Sequence, residues 1–275
     1  MFSIAALGAV GCDAVYGLRD RLEPDAAVDD AAVVDVPAID ATSDARHISP
    51  GDFDADGVAN DLDPCPLIAG QSGNDNDADG LPNACDPDLA KDRDCVVFFE
   101  TFTDPLVVRW IAEGWTTTLC APAGLCSPSG AAESKIYFNQ PIETTRIEAR
   151  FTILSITDDL EASVRMYARM RPDASNASGR ACSLFRDGAT ANVKLVLGDF
   201  GAQATGVTSP DPATAYTNVP FTLRLDEQTT CSREAPAGAS VTNALAPLPG
   251  DFIGVEAVGA RISLRYIIGY GSCAP

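Results

Sequence analysis

Two stretches, DFDADGVANDLDPCP from Asp52 and GNDNDADGLPNACDPD from Gly73, constrain this chain more than anything else in it. Each sets aspartates on alternate residues ahead of a glycine, a pattern that cannot bury a core. In a D-x-D-x-D-G run, carboxylates at loop positions 1, 3 and 5 converge on one point when the backbone turns tightly, and glycine at position 6 permits that turn. Position 7 then offers a carbonyl, and an acid at position 12 closes the shell. The first copy supplies Asp52, Asp54, Asp56, Gly57, Val58 and Asp63; the second supplies Asp75, Asp77, Asp79, Gly80, Leu81 and Asp86. Asn60 and Asn83 fall at position 9, where a ligand often acts through water. Hard oxygen donors in this number select calcium, because magnesium demands a smaller octahedron and transition metals prefer imidazole or thiolate.

Large apolar side chains are scarce here, chiefly Phe53, Leu62, Leu67, Ile68 and Leu81, so folding without metal is not expected. Closely spaced carboxylates oppose compaction until a cation neutralises them, which makes the expected calcium structural. A pair of EF-hands is the rival reading, but helices of EF-hand length flank neither loop. With their cysteines, D-x-D-x-D-G-x-x-N-x-x-D-x-C-P and Q-x-x-x-D-x-D-x-D-G-x-x-N-x-C-D resemble the alternating long and short units of thrombospondin type 3 repeats. The resemblance covers about residues 50–94. It implies calcium and disulfides in place of a hydrophobic core, and it pairs Cys65 with Cys85. Such a bridge contributes roughly 3 kcal/mol in the chain-entropy description.

The formal charge of −20 is concentrated in the same third of the chain. Residues 1–94 carry 21 acids against 5 bases, residues 95–275 carry 18 against 14. Such a polyanion repels nucleic acid and anionic lipid and attracts cations. No stretch reaches the ~20 apolar residues that span a bilayer. The opening MFSIAALGAVGC resembles a truncated signal ending in a bacterial lipobox, which implies a lipid on Cys12 as the only membrane attachment. The run is short and no Lys or Arg precedes it, so the true start is expected upstream. Eight cysteines remain besides Cys12, an even number that suits an oxidising compartment, and no C-x-x-C pair points to zinc. Residues 13–49, rich in Ala, Asp, Val and Pro from about residue 24, show no sustained period and read as a disordered acidic tether. The single histidine, His47, is expected to be solvated there, and its isolation removes Ser-His-Asp and Cys-His catalysis.

From Cys95 to the end, residues 95–275, the pattern changes to period two. In LEASVRMYARM (160–170), Ala162, Val164, Met166, Ala168 and Met170 alternate with Ser163, Arg165, Tyr167 and Arg169. RIEARFTI places Ile147, Ala149, Phe151 and Ile153 on one side, and VKLVL, FTLRL and RISLRYI continue the rhythm between Asp-Gly, Pro and Ser turns. Half-buried antiparallel strands at this spacing predict a mainly β fold, a sandwich or barrel. FFETFTDPLVVRW at its start and DFIGVEAVGARISLRYIIGYG at its end resemble concanavalin A/laminin G-like jelly rolls, whose terminal strands lie side by side. That resemblance makes Cys95–Cys273 an attractive staple. Cys120 and Cys126 are close enough to close a small loop, which leaves Cys182 with Cys231; sequence alone leaves the connectivity open.

The resulting expectation is an exported, surface-anchored calcium-binding protein whose sandwich binds a glycan or a cell-surface protein, its oligomeric state undetermined. Two other readings stand beside it: a carbohydrate-active enzyme on the same fold, and an architectural spacer. The E-x-D-x-x-E strand motif of jelly-roll glycosidases is absent, and Asp158, Asp159 and Glu161 read as turn acids. Alternation sends Arg146, Glu148, Arg150, Arg165, Tyr167 and Arg169 outward, an arginine-rich face suited to an acidic glycan. A solvated face whose arginines pair with glutamates across strands is the plainer alternative.

Overall fold

The structure is a computed structural model. It describes residues 46–273 apart from 71–72, 104–108, 116–118, 121–123, 129–132, 157–160, 173–176, 189–191, 201–204, 212–215, 228, 237 and 244–251. Cys12, the tether up to residue 45, Asp158 and Asp159 therefore lie outside the described residues.

Among the described residues the chain forms sixteen strands and no helix. They are β1 (His47–Ile48), β2 (Asp94–Thr101), β3 (Trp110–Glu113), β4 (Leu119–Cys120), β5 (Gly124–Cys126), β6 (Glu133–Phe138), β7 (Arg146–Ile156) and β8 (Glu161–Pro172). There follow β9 (Ala177–Asp187), β10 (Val193–Phe200), β11 (Thr205–Pro210), β12 (Pro220–Asp226), β13 (Thr230–Ala235), β14 (Ser240–Thr242), β15 (Phe252–Val258) and β16 (Ala260–Ser272). One sheet runs β1-β2-β16-β7-β12-β13-β14, with β5 paired to β16 and to β4; the other runs β11-β10-β9-β8-β15-β6-β3. Every pairing is antiparallel except β1 on β2. This is a β-sandwich of jelly-roll type.

Alternation explains the core. Ile147, Ala149, Phe151 and Ile153 of β7 face Val164 and Met166 of β8 and Val255 of β15 in one apolar cluster between the sheets. Met170 departs from this pattern. A register shift between Tyr167 and Arg169 adds one residue to β8, so Met170 leaves the core side and joins Tyr137, Tyr167 and Ala181 on the opposite face.

The terminal strands β2 and β16 are neighbours, from Tyr266 opposite Thr101 to Ser272 opposite Asp94. Cys95 is bonded to Cys273 beside them, Cys120 to Cys126, and Cys65 to Cys85. Cys182 on β9 and Cys231 on β13, both fully buried, tie one sheet to the other.

His47 is not solvated. Its Nε2 lies 2.9 Å from Glu100 Oε2, and its ring packs 4.6 Å from that of Phe138 and 5.3 Å from that of Phe98. Ser49 Oγ donates to the other Glu100 oxygen, and Trp110 Nε1 donates to Oε2 at 2.8 Å. One buried carboxylate thus holds residues 47–49 against the sandwich, where sequence composition alone predicts tether. Glu100→Ala is expected to cost about 2–3 kcal/mol, as charge-assisted bonds are lost, and to speed amide exchange at residues 47–49. Denaturant unfolding and hydrogen exchange check both; unchanged exchange would show that Glu100 does not hold the segment.

Candidate metal loops and the faces beside them

The two acidic loops share the same backbone turn. Ala55 and Ala78, at position 4, both have φ of 63°, and Gly57 and Gly80, at position 6, have φ of 94° and 97°. Only glycine takes the latter conformation without strain, so the turn that gathers the carboxylates depends on it. Gly57 N donates to Asp52 Oδ2 and Gly80 N to Asp75 Oδ2, each at 2.9 Å. Val58 N and Leu81 N donate to Asp56 Oδ1 and Asp79 Oδ1, each at 2.8 Å. At position 12, Asp63 Oδ1 takes Cys65 N and Asp86 Oδ1 takes Asp88 N, each at 2.8 Å.

Asp52, Asp56 and Asp75 accept backbone donors at both oxygens, whereas the other acids of the two loops keep at least one oxygen free of them. Asp54 Oδ2, Asp63 Oδ2, Asp77 Oδ1 and Oδ2, Asp79 Oδ2 and Asp86 Oδ2 are enclosed oxygens without a donor. Within each set, Asp52 with Asp54 and Asp56, and Asp75 with Asp77 and Asp79, one carboxylate oxygen per residue lies within 4.8 Å of the others. Burial first, then repulsion from neighbouring carboxylates, raises Asp54, Asp63, Asp77 and Asp86 above the ordinary aspartate range. Asp75 moves the other way, because Gly80 N stabilises its charged form. Gathered, donorless, mutually repelling oxygens fit a hard divalent cation, and no donor among the described residues supplies the missing charge.

Asn60 and Asn83 have a different part. Asn60 Oδ1 accepts from Phe53 N at 2.9 Å and Asn83 Oδ1 accepts from Asn76 N at 3.0 Å, so these side chains close the loops. Asp94, at the start of β2, is an acid that the repeat spacing misses. It is 2 % exposed, its Oδ1 has no hydrogen-bond donor, and burial together with repulsion from Asp79, Asp86 and Asp88 raises its pKa. It sits eight residues beyond Asp86, where no loop position calls for an acid.

The loops do not stand apart from the sandwich. Phe53, Leu67, Leu81 and Cys85 pack on Val96, Phe99, Tyr266, Ile268 and Tyr270, the outer face of β2 and β16. The ring of Phe53 meets those of Phe99 and Tyr266 edge-on at 5.6 and 5.7 Å. Strand alternation accounts for this second cluster, since Tyr266, Ile268 and Tyr270 recur every two residues on the face away from the core.

The expected arginine-rich face is not one surface. Arg146, Glu148 and Arg150 belong to β7 in one sheet, while Arg165, Tyr167 and Arg169 belong to β8 in the other, so their outer faces lie on opposite sides of the sandwich. Tyr167 is fully buried and donates to Glu256 Oε2 at 2.8 Å, the oxygen that also takes Arg165 Nη1 at 2.8 Å. The register explains it: Lys135, Glu256, Arg165 and Ser183 are opposite one another on β6, β15, β8 and β9. Lys135 pairs in turn with Glu113 at 3.1 Å. The shift in β8 sets Arg169 opposite Arg180, a fully buried guanidinium paired with Asp199. Arg165 is thus a pairing residue within the sheet.

No protein-family model matches the sequence, and no curated protein does. Solved structures resemble the fold. The CBM2 module of the evolved Dit of Lactobacillus casei BL23 phage J-1 is 11% identical, with 66% of this chain and 98% of that one covered and a TM-score of 0.48. The Emp47p carbohydrate recognition domain is 10% identical over 64% and 95% of the two chains, with a TM-score of 0.47. The Ca2+/Man-bound exoplasmic/lumenal domain of VIP36 is 12% identical over 61% and 84%, with a TM-score of 0.44.

Proposed function

We propose that this chain is an exported calcium-binding protein, displayed at a surface, whose acidic loops are organised by calcium against a lectin-like sandwich that binds a glycan. The observation that carries the calcium reading is the set of enclosed aspartate oxygens without a donor among the described residues, at Asp54 and Asp63 in one loop and at the equivalent Asp77 and Asp86, with Asp79, in the other. Asp52, Asp54, Asp56, the Val58 carbonyl and Asp63 would hold one ion; Asp75, Asp77, Asp79, the Leu81 carbonyl and Asp86 would hold the other. Bound there, calcium supplies the positive charge that lets four acids share each turn. Export fits the paired cysteines, which persist outside reducing compartments, and display would follow from a lipid on Cys12. We read the sandwich as a binding module and not a catalyst. Glu133 and Glu256 are carboxyls on adjacent strands, but Glu256 is 1 % exposed and committed to Arg165 and Tyr167.

Calorimetric titration of the whole protein should give two calcium sites, with affinity at or tighter than the ~10⁻⁴–10⁻³ M of extracellular modules. Asp56→Ala and Asp79→Ala should each remove one site. A protein that takes up no calcium would overturn the reading.

A further inference from the structure

Some guanidiniums of the sandwich have a carboxylate at ion-pair distance, as Arg146 has Asp226 and Arg233 has Asp211. Arg150 and Arg265 have none among the described residues, in a chain whose formal charge is −20. Their placement is specific. A bulge in β16 between Leu264 and Tyr266 inserts Arg265 as an extra, exposed residue, and Tyr266 is the register partner of Arg150 on β7. The two arginines therefore rise from neighbouring strands, about 4.8 Å apart in the sheet. Arg150 stands beside its register partner Tyr266, and the Arg265 guanidinium carbon lies 5.4 Å from the centre of the Phe53 ring.

Both arginines line two cavities and so form their common wall. One, of about 360 Å³, is completed by Thr152, Asn218, Pro220 and Ser263. The other, of about 460 Å³, is completed by Phe53, Asp54, Leu67 and Tyr266. Two guanidiniums flanked by hydroxyls, an amide and apolar rings match a molecule that carries an oxyanion on a hydroxylated, ring-shaped body. A guanidinium fork receives a planar carboxylate or a sulfate edge with two parallel bonds, hydroxyl and amide groups exchange bonds with sugar hydroxyls, and the rings cover C–H faces.

We propose that this groove binds a sugar bearing a carboxylate or a sulfate. The site lies on the outer face of the sheet that contains both terminal strands, away from the Lys135–Glu256–Arg165 row. It rests on the calcium reading above for its second wall, since Phe53 and Asp54 belong to the first acidic loop. Without a cation, the Asp52, Asp54 and Asp56 carboxylates repel an anion in the groove; with calcium in the loop that repulsion is offset and Phe53 is held against Arg265. Calcium and sugar therefore raise each other's affinity by the same factor.

Calorimetry on the whole protein, with calcium and with chelator, tests this using a galacturonate trimer, a sulfated trisaccharide, maltotriose and triglutamate. At least one anionic sugar is expected to bind in calcium, and comparison of the two separates carboxylate from sulfate as the preferred group. Maltotriose and triglutamate should bind at least about tenfold more weakly. Arg150→Ala and Arg265→Ala should each weaken the anionic sugar about tenfold or more while calcium uptake is unchanged, and Lys194→Ala on the other sheet should leave it unaltered. Calcium uptake without uptake of either anionic sugar overturns the groove and leaves the calcium loops standing. Equal binding of maltotriose or triglutamate overturns the ligand class, retention of binding by both arginine variants overturns the site, and equal affinity in calcium and chelator overturns the coupling.

Discussion

Chelating calcium is expected to lower the melting temperature of the whole protein by about 10 °C or more and to expose an apolar patch on the sandwich. A ligand at a hundred times its dissociation constant contributes about 2.7 kcal/mol per site, and each kcal/mol moves the transition of a domain this size by about 2–4 °C. Two sites acting on one cooperative unit give the stated shift. Besides the Cys65–Cys85 bridge the loops have few sources of order, because among their described residues only Cys65, Pro66, Leu81 and Pro82 are buried apolar side chains and Leu62 is 76 % exposed. Once Phe53, Leu67 and Leu81 detach, Phe99, Tyr266, Ile268 and Tyr270 lose their cover. Calorimetric scanning with and without calcium, alongside an apolar fluorescent dye, measures both effects. An unchanged melting temperature with no dye binding would sink the idea that metal organises this segment.

Glu256→Ala should be the most damaging single change in the sandwich that touches no core apolar side chain. Glu256 is 1 % exposed and accepts from Arg165 and Tyr167 through one oxygen, so truncation strands a largely buried guanidinium and a buried phenol. Breaking one side of a buried pair costs about 3–5 kcal/mol, a fall of roughly 6–20 °C. Removing both partners in Glu256→Leu, Arg165→Met should recover most of the loss, since a well-packed apolar pair of similar volume is often neutral. Chemical unfolding of the single and double variants tests this as a cycle; a double variant no more stable than Glu256→Ala would show that the pair is not what the row depends on.

The parts of this molecule that could be read ahead of its coordinates are those set by short-range rules. Period-two alternation gives β7, β8, β10, β12 and β16 because each side chain need only choose between two faces. The aspartate spacing marks both loops because each turn is closed within its own dozen residues. What alternation cannot show is where a strand gains a residue: the extra residue in β8 turns Met170 outward and sets Arg169 opposite Arg180, and the bulge in β16 exposes Arg265. Nor can it show which strands share a sheet. Arg150 and Arg165 look equivalent in sequence and lie on opposite sides of the sandwich. His47 was opaque for a related reason: its local composition is that of an unfolded chain, and its partner Glu100 is 53 residues away.

The bond between Cys95 and Cys273, 178 residues apart, makes the sandwich a closed covalent ring with the Cys182–Cys231 bridge as a chord. One proteolytic cut in any loop of that ring opens the circle without shedding a fragment. Damage of that kind keeps the two pieces joined and shows itself on a gel only after reduction, when they part. The ring thus converts local cleavage from loss of the domain into a scar that the domain carries.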